Sequence, residues 1–396
     1  MTNPLPVQDF LREHSARELF AAHGVALRPS DDGKVMAVDY DQLAAKKSDN
    51  LVLECRGLVL RLYSPFSPTK PVGETSIVAR PMSRFFNHGE GGPEHQIDLN
   101  DPNVRFEEKY DGTLCNIYFD FEDHQWNVAT RSVPRGDKLL GDGYTTRELF
   151  EKAARMPFSD FANRLGPREH TYGFELCTPV NEVHVRQDDF QVTLLAVRDN
   201  QSGREFDPVP FATNAGICPA RTHKFDTVEA TLEYIHSQPS RAHEGMVAKL
   251  LDAEGRMRRT KIKNLSYVAA AHLAGSAPKV NSLRSLMSLV LSGNFEDAAP
   301  TMNNYAAERG RVMEVKVGEH MRLQDALYES IGDVGTDRRV FGGIASKKTG
   351  LNMSYAFSRL DGKCANYADW IRRQRSATGF RDGLLDDLIA KSGVKG

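Results

Sequence analysis

The chain has 396 residues and a formal net charge of −2, so it lacks the overall basic character of a polyanion-gripping protein, and any nucleic-acid site must be a local cluster of Lys and Arg. Hydrophobic residues at 40% and charged residues at 26% describe an ordinary globular protein, and the length exceeds what one core normally fills, so two domains are expected. Five scattered cysteines without a Cys-x-x-Cys pair exclude a zinc ribbon or disulfide scaffold and suit a reducing, cytoplasmic setting, and no apolar run reaches signal-peptide or membrane-spanning length.

Taken in order, residues 7 to 23 carry Val7, Phe10, Leu11, Leu19 and Phe20 at near-helical spacing and end at Gly24, which predicts an opening amphipathic helix. Strands are expected at Val35 to Tyr40 and Leu51 to Tyr63, the second interrupted by Glu54-Cys55-Arg56-Gly57. Pro65, Pro68 and Pro71 break the chain after Tyr63, and Arg80 to Glu90 combines Arg80 and Arg84 with Phe85 and Phe86 before a Gly91-Gly92-Pro93 loop. Arg56 and Arg84 are either solvated or suited to clamp phosphate.

Glu107-Glu108-Lys109-Tyr110-Asp111-Gly112 then runs into the apolar Leu114 to Phe121. On a strand Glu107, Lys109 and Asp111 share one face, and Phe106, Glu108 and Tyr110 the other. A lysine titrates near 10.4, and burial beside other cations would lower that value and free the amine as a nucleophile. Gly112 permits a turn or a close approach. Taken alone, a Lys-x-Asp-Gly tetrapeptide reads more readily as a solvated strand end.

Downstream, Leu114 to Phe121 and Gln125 to Thr130 read as a hairpin that delivers Arg131 and Ser132. Helices are expected at Tyr144 to Met156, Phe158 to Leu165 and Val228 to His236. Strands are expected at Tyr172 to Pro179, which carries Glu175, and at Gln191 to Asp199. His243 to Lys249 should pair with Met257 to Tyr267 around Asp252 to Gly255, bringing Glu244 near Lys261 and Lys263. Those two lysines share a strand face, which suits either a phosphate cleft or an exposed edge with gatekeeping charges. From residue 270 onward Leu283 to Leu291, His320 to Ile331 and Ala365 to Arg373 look helical, with basic spots at Arg338-Arg339, Lys347-Lys348 and Arg372 to Arg375. These spots fit solvated helix faces or nucleic-acid contacts. The expected fold class is therefore α/β (α+β): an antiparallel-sheet-rich domain over 1–270 and an all-helical domain over 271–396.

Read together and in this order, Lys109 to Gly112, Phe174-Glu175, Glu244-Gly245 and Lys261 to Lys263 resemble motifs I, III, IV and V of the covalent nucleotidyltransferases. Glu54 to Val59, Arg80 to Glu90 and Lys263 to Tyr267 narrow the resemblance, over residues 50 to 270, to the phage-type RNA ligase 1 family. Arg84 stands where that family usually has lysine, exchanging a point charge for a planar fork. The resemblance implies an adenylyltransferase domain acting as an ATP-dependent RNA ligase, with Mg²⁺, or Mn²⁺ as the alternative. Lys109 would carry the adenylyl group, which passes to a 5′-phosphate RNA end before a 3′-hydroxyl displaces AMP. It further implies that Lys261 and Lys263 contact the α-phosphate, and Arg56 and Arg84 the outer phosphates. Glu175 would meet the ribose and a metal, Glu244 a metal or ordered water, and Asp111 would orient the lysine, while Glu108 and Gly112 join the nucleotide site. Arg131-Ser132 matches a less specific motif. The implied partner is RNA in repair, with tRNA or single-stranded DNA as variants, and the implied protein is a monomer in the cytoplasm, the host's if the gene is a phage's.

No Gly-x-x-x-x-Gly-Lys-Ser/Thr, His-Glu-x-x-His or Gly-x-Ser-x-Gly motif is present. A DNA ligase or capping guanylyltransferase shares the lysine chemistry but typically appends a β-barrel rather than helices. A non-catalytic RNA-binding module is the remaining alternative, with salt-sensitive binding and no covalent adduct.

Overall fold

In the computed structural model of the protein, the described residues are 4–394 apart from 43, 47, 91–94, 138, 142, 182, 184, 240, 253–255, 265–282, 300, 301, 303, 336, 377 and 378. The expected opening helix is two, Pro6–Glu13 and Ala16–His23. His14 is extended, and Ser15 restarts the helix by accepting from the Glu18 amide while the Glu18 carboxylate reaches back to the Ser15 amide. Gly24 ends the second helix at φ 67°, where a Cβ would meet the Ala44 carbonyl carbon at 2.4 Å.

The strands form three main sheets. The first is antiparallel in the order β1 (Val25–Pro29), β2 (Val35–Tyr40), β3 (Arg56–Leu62) and β4 (Thr75–Ala79). The expected strand from Leu51 is a helical turn, Asn50–Leu53, because Asp49 caps it through the Leu51 amide, and β3 begins only at Arg56. β1 has too few apolar residues to stand out in the sequence, and its register against β2, from Val25↔Tyr40 to Pro29↔Met36, is what makes it a strand. Both opening helices pack on this sheet through Leu11, Leu19, Val38, Leu58 and Leu60.

Beyond β5 (Phe86–Asn87) and β6 (Arg105–Glu108), β7 (Thr113–Asp120) and β8 (Gln125–Ala129) form the expected hairpin. A short pair, β9 (Leu139–Gly141) and β10 (Tyr144–Thr145), precedes β11 (His170–Cys177), β12 (Gln191–Asp199), β13 (Glu205–Phe206) and β14 (Thr222–His223). β15 (Gly245–Leu251) and β16 (Met257–Lys263) make the second expected hairpin, with Asp252 and Arg256 closing the described part of its turn. The positions expected to continue that strand beyond Asn264, including Tyr267, and the Gly91-Gly92-Pro93 loop lie outside the described residues.

The second sheet runs β13-β12-β11-β7-β8 and the third runs β14-β6-β15-β16-β5, with β5 parallel to β16. The second is backed by Phe150, Phe158 and Phe161 from helices Thr146–Ala154 and Phe158–Ala162, and by Ala212 from Pro208–Ala215, a helix the spacing did not announce. The third is backed by helix Val228–Ser237 through Ile235 against Phe106, Met246, Ala248 and Ile262. Alternation does the rest: with the even-numbered residues of β15 and β16 in that core, their odd-numbered residues face the second sheet.

From Leu283 onward the chain is helical: Leu283–Ser292, Phe295–Ala298, Asn304–Glu329, Arg338–Ala345, Met353–Leu360, Tyr367–Arg373 and Asp382–Ser392, with one minimal hairpin, β17 (Arg375–Ser376) and β18 (Gly379–Phe380). The expected His320 to Ile331 helix is the end of the longer Asn304–Glu329, whose mixed polar face hides the periodicity. These helices share a core with Phe20 and Ala44, so they rest on the N-terminal part of the molecule. None of the described helices is long and apolar enough to cross a membrane.

Candidate active site

β6 stops at Glu108, and Lys109 continues only by donating its amide to the Gly245 carbonyl at 2.9 Å. Glu107 and Lys109 face the space between the second and third sheets as the alternation predicts, and Phe106 lies in the opposite core. With the strand ended, the pattern breaks after Lys109. Tyr110 also lines the cavity, and the buried Asp111 carboxylate accepts from the Val185 amide at 2.7 Å. Asp111 is absent from the cavity lining, so its influence on Lys109 is through charge.

The cavity, of about 150 Å³, brings together Arg56 from β3, Lys109, Glu175 from β11, and Lys261 and Lys263 from β16. Lys109 Nζ lies 2.5 Å from Glu244 Oε2, and Lys263 Nζ lies 3.6 Å from the other oxygen of the same buried carboxylate. Glu244 sits just before Gly245, whose φ of +146° carries the chain past β16, where a Cβ would meet the Ile262 carbonyl oxygen at 2.2 Å.

The charge state of Lys109 corrects the expectation of a depressed pKa. Burial pushes it down, but the Glu244 carboxylate, helped by Glu175, outweighs this and holds the amine above its ordinary value. Burial, reinforced by Glu244 and opposed by Lys109, pushes Glu175 up from 4.5 to about 7. One Glu175 oxygen accepts from the Gly112 amide at 3.2 Å. Gly112 is required by packing rather than by a turn, since a Cβ there would sit 2.4 Å from the Leu176 carbonyl oxygen.

Arg56 stacks over Phe85 at 5.1 Å, and its Nη1 is buried without a hydrogen-bond partner. Arg84 is not in this cavity. It lines an adjoining one that shares Phe85, Lys261 and Lys263, and its guanidinium lies between Tyr40, at 4.2 Å, and Phe86, at 5.1 Å. A planar fork fills that aromatic slot in a way a lysine ammonium cannot. Glu108 touches the cavity, but its carboxylate is spoken for by His243 Nδ1 at 3.5 Å, with Arg221 at 3.8 Å, and the His243 contact holds it below its ordinary pKa. Arg131 lies further out, paired with Asp39 at 2.8 Å and 4.6 Å from the Tyr40 ring.

Sequence reasoning passed over Glu107, Leu195, Val247 and Lys249, which also line the cavity. The signal for three of them was present, because Glu107 falls on the same alternating face as Lys109, and Val247 and Lys249 on that of Gly245. It also passed over the role of Glu54, whose carboxylate is held by Arg198 at 3.0 Å and Arg80 at 3.1 Å beneath the site.

Among the described residues no three His, Cys, Asp or Glu side chains converge as a ready-made metal site. Glu175 and Glu244 nevertheless supply two carboxylates beside Lys109, and Mg²⁺ is commonly held by one or two carboxylates plus substrate phosphates and water, so the residues fit such an ion.

Lys109, paired with the buried Glu244 carboxylate, thus stands among the cations Arg56, Lys261 and Lys263 between the second and third sheets. A family model described as RNA ligase, of the phage-type RNA ligase 1 class, matches residues 54–267, more than half of the chain, and the chain belongs to that family. It is 25% identical over 310 residues to an Autographa californica nuclear polyhedrosis virus protein named as a putative bifunctional polynucleotide kinase/RNA ligase. That match covers 74% of this chain and 41% of the viral protein, so the chain spans well under half of that relative's length. Among solved structures it is similar to an archaeal ATP-dependent RNA ligase (16% identity, TM-score 0.42, 88% of this chain and 79% of that one). It is also similar to a Naegleria gruberi RNA ligase variant with ATP and Mn (14% identity, TM-score 0.34, 42% of this chain and 51% of that one).

Proposed function

We propose that this chain is an ATP-dependent RNA ligase that joins 5′-phosphate and 3′-hydroxyl RNA ends, with residues 1–270 as the adenylyltransferase domain and 271–396 as a helical domain. The observation that carries this reading is Lys109, paired with the buried Glu244 carboxylate, in a cavity also lined by Arg56, Glu175, Lys261 and Lys263. Lys109 must first lose a proton, and the Glu244 carboxylate at 2.5 Å is the nearest acceptor. The amine then attacks the α-phosphorus of ATP, forming a P–N bond as the bond to the bridging oxygen breaks and pyrophosphate leaves. A 5′-phosphate oxygen of the RNA next displaces the amine, which takes back a proton. The 3′-hydroxyl finally attacks that 5′-phosphate, loses its proton and releases AMP.

In this reading Lys261 and Lys263 neutralise the α-phosphate, Arg56 and, from the adjoining cavity, Arg84 the outer phosphates, and Glu175 engages the ribose. Glu175 and Glu244 would hold a divalent metal, Mg²⁺ in our reading with Mn²⁺ as the alternative, which would supply further charge neutralisation. We place the reaction in the cytoplasm and leave tRNA, other broken RNA and single-stranded DNA as substrates to be ranked by ligation assay.

The test is incubation with α-labelled ATP and a divalent metal, followed by a denaturing gel. The chain should acquire label, and Lys109→Ala should acquire none. Label from GTP alone would favour a capping activity. No label with any nucleotide or metal would leave RNA binding as the function.

A further inference from the structure

The helical part of the chain supplies one wall of the cavity that adjoins the lysine site. That cavity, of about 100 Å³, takes Arg84, Lys261 and Lys263 from the sheet-bearing part of the chain, and Glu296 and Glu314 from the helices. Glu296 follows Phe295 in helix Phe295–Ala298, and Glu314 lies within Asn304–Glu329. The two helices meet where Phe295 seats against Gly310, at which a Cβ would lie 1.9 Å from the Phe295 ring. Gly310 and Glu314 are neighbours on one helix face, so this close contact fixes Glu296 and Glu314 in the same wall. The wall is also anchored to the N-terminal part of the molecule. Arg322, about two turns further along the long helix, donates to the Ala44 carbonyl, and Arg372 pairs with Asp41. Gly293 approaches Gln42, which lines the same cavity, so closely that a Cβ would meet its Oε1 at 2.6 Å. Burial lowers the Arg84 pKa, and Tyr40, Glu314 and Glu90 act against that shift, so the Glu314 charge reaches the guanidinium.

We propose that Glu296 and Glu314 act against pyrophosphate, repelling it from the cations that hold it and so opposing its return to the lysyl-adenylate. This rests on the reading of Arg84, Lys261 and Lys263 as phosphate contacts. In the reverse step an oxygen of pyrophosphate attacks the α-phosphorus, the P–N bond breaks, the Lys109 amine takes up a proton and ATP re-forms. The returning anion must approach Arg84 beside the wall that holds the two carboxylates, and like charges in a site shielded from water repel strongly. Once pyrophosphate has left, the same carboxylates supply counter-charge to Arg84, so the adenylated chain is not left with uncompensated buried cations. ATP meets the same repulsion, but its adenosine brings contacts that pyrophosphate lacks, so the nucleotide binds where the product does not stay.

The experiment isolates the chain labelled on Lys109 by α-labelled ATP, adds pyrophosphate with a divalent metal, and follows release of labelled ATP. It compares the unaltered chain with Glu296→Gln and Glu314→Gln, which keep the side-chain shape and remove the charge, and records a melting curve for each. Each substitution should lower the KM for pyrophosphate by about three- to tenfold and leave kcat within about twofold. An unchanged KM in the folded variants overturns the proposal. A raised KM overturns it too, and would make the carboxylates holders of a metal that carries the phosphates. A variant whose kcat and melting temperature fall while KM stays put shows a structural role only, which also counts against the proposal. Should one variant fail to fold, the other decides, because each carboxylate acts through its own charge. Absence of label from every nucleotide would instead remove the lysyl-adenylate itself, and the opposed return of pyrophosphate with it.

Discussion

Lys109 keeps its proton in the free protein because the Glu244 carboxylate, 2.5 Å away, outweighs the cost of burying an ammonium. The amine should therefore be a poor nucleophile until that carboxylate is neutralised or removed. Acylation of Lys109 by a small amine-reactive reagent, followed by mass spectrometry, should rise only at alkaline pH. Glu244→Gln should move that rise to lower pH, since it removes the group that raises the pKa; an unmoved profile would detach the pair from the reactivity. Glu175 gives a stability prediction of definite sign. Its pKa rises from 4.5 unfolded to about 7 folded, so the folded chain binds the extra proton between those values, and stability is full below 4.5 and falls as pH rises toward 7. That rise corresponds to roughly 3 kcal/mol at most. Glu175→Gln should flatten this part of the stability–pH curve and raise the melting temperature of the nucleotide-free protein at about pH 8.

At the level of elements, the site depends on two places where strands approach closely. Gly112 brings the segment after Lys109 against β11, and a methyl there would strike the Leu176 carbonyl at 2.4 Å. Gly112→Ala should destabilise the chain by about 1–3 kcal/mol, read from chemical denaturation, and should weaken labelling by displacing Lys109 from Glu175. Glu54 is the second support. Arg198 and Arg80 hold its carboxylate down to about 2 despite the opposing effect of burial, so its contribution is present above 4.5 and lost as pH falls toward 2. Glu54→Gln would leave the largely buried Arg198 without its carboxylate and should cost about 3 kcal/mol at neutral pH, with little cost at about pH 2. Equal losses at both pH values would show that the pair contributes by shape rather than charge.

At the scale of the whole molecule, the cavity around Lys109 is lined from residue 56 to residue 263, while the helices from Leu283 onward share a core with Phe20 and Ala44 and pair Arg372 with Asp41 and Arg17 with Glu329. Removing residues 283–396 should therefore lower the melting temperature by several degrees, as Phe20 and Ala44 meet water and Asp41 loses its cation. Labelling of Lys109 by ATP should persist in the shortened chain. A folded fragment that takes no label would place an essential group among the helices.

Residue order alone was enough to locate the strands that bear the site, because β7, β8, β12 and β15 are apolar enough for alternation to set both their type and their face. It was also enough to say which charged residues would meet, since Lys109, Glu175, Glu244, Lys261 and Lys263 stand at strand ends whose order along the chain is that of a known family. Long-range packing settled the rest. The proton on Lys109 depends on a carboxylate 135 positions away, the diversion of Asp111 to the Val185 amide on where β6 happens to end, and the exclusion of Arg84 from the central cavity on an aromatic slot between Tyr40 and Phe86. Local periodicity tells which way a side chain points, whereas electrostatics and burial depend on the groups the fold places opposite it.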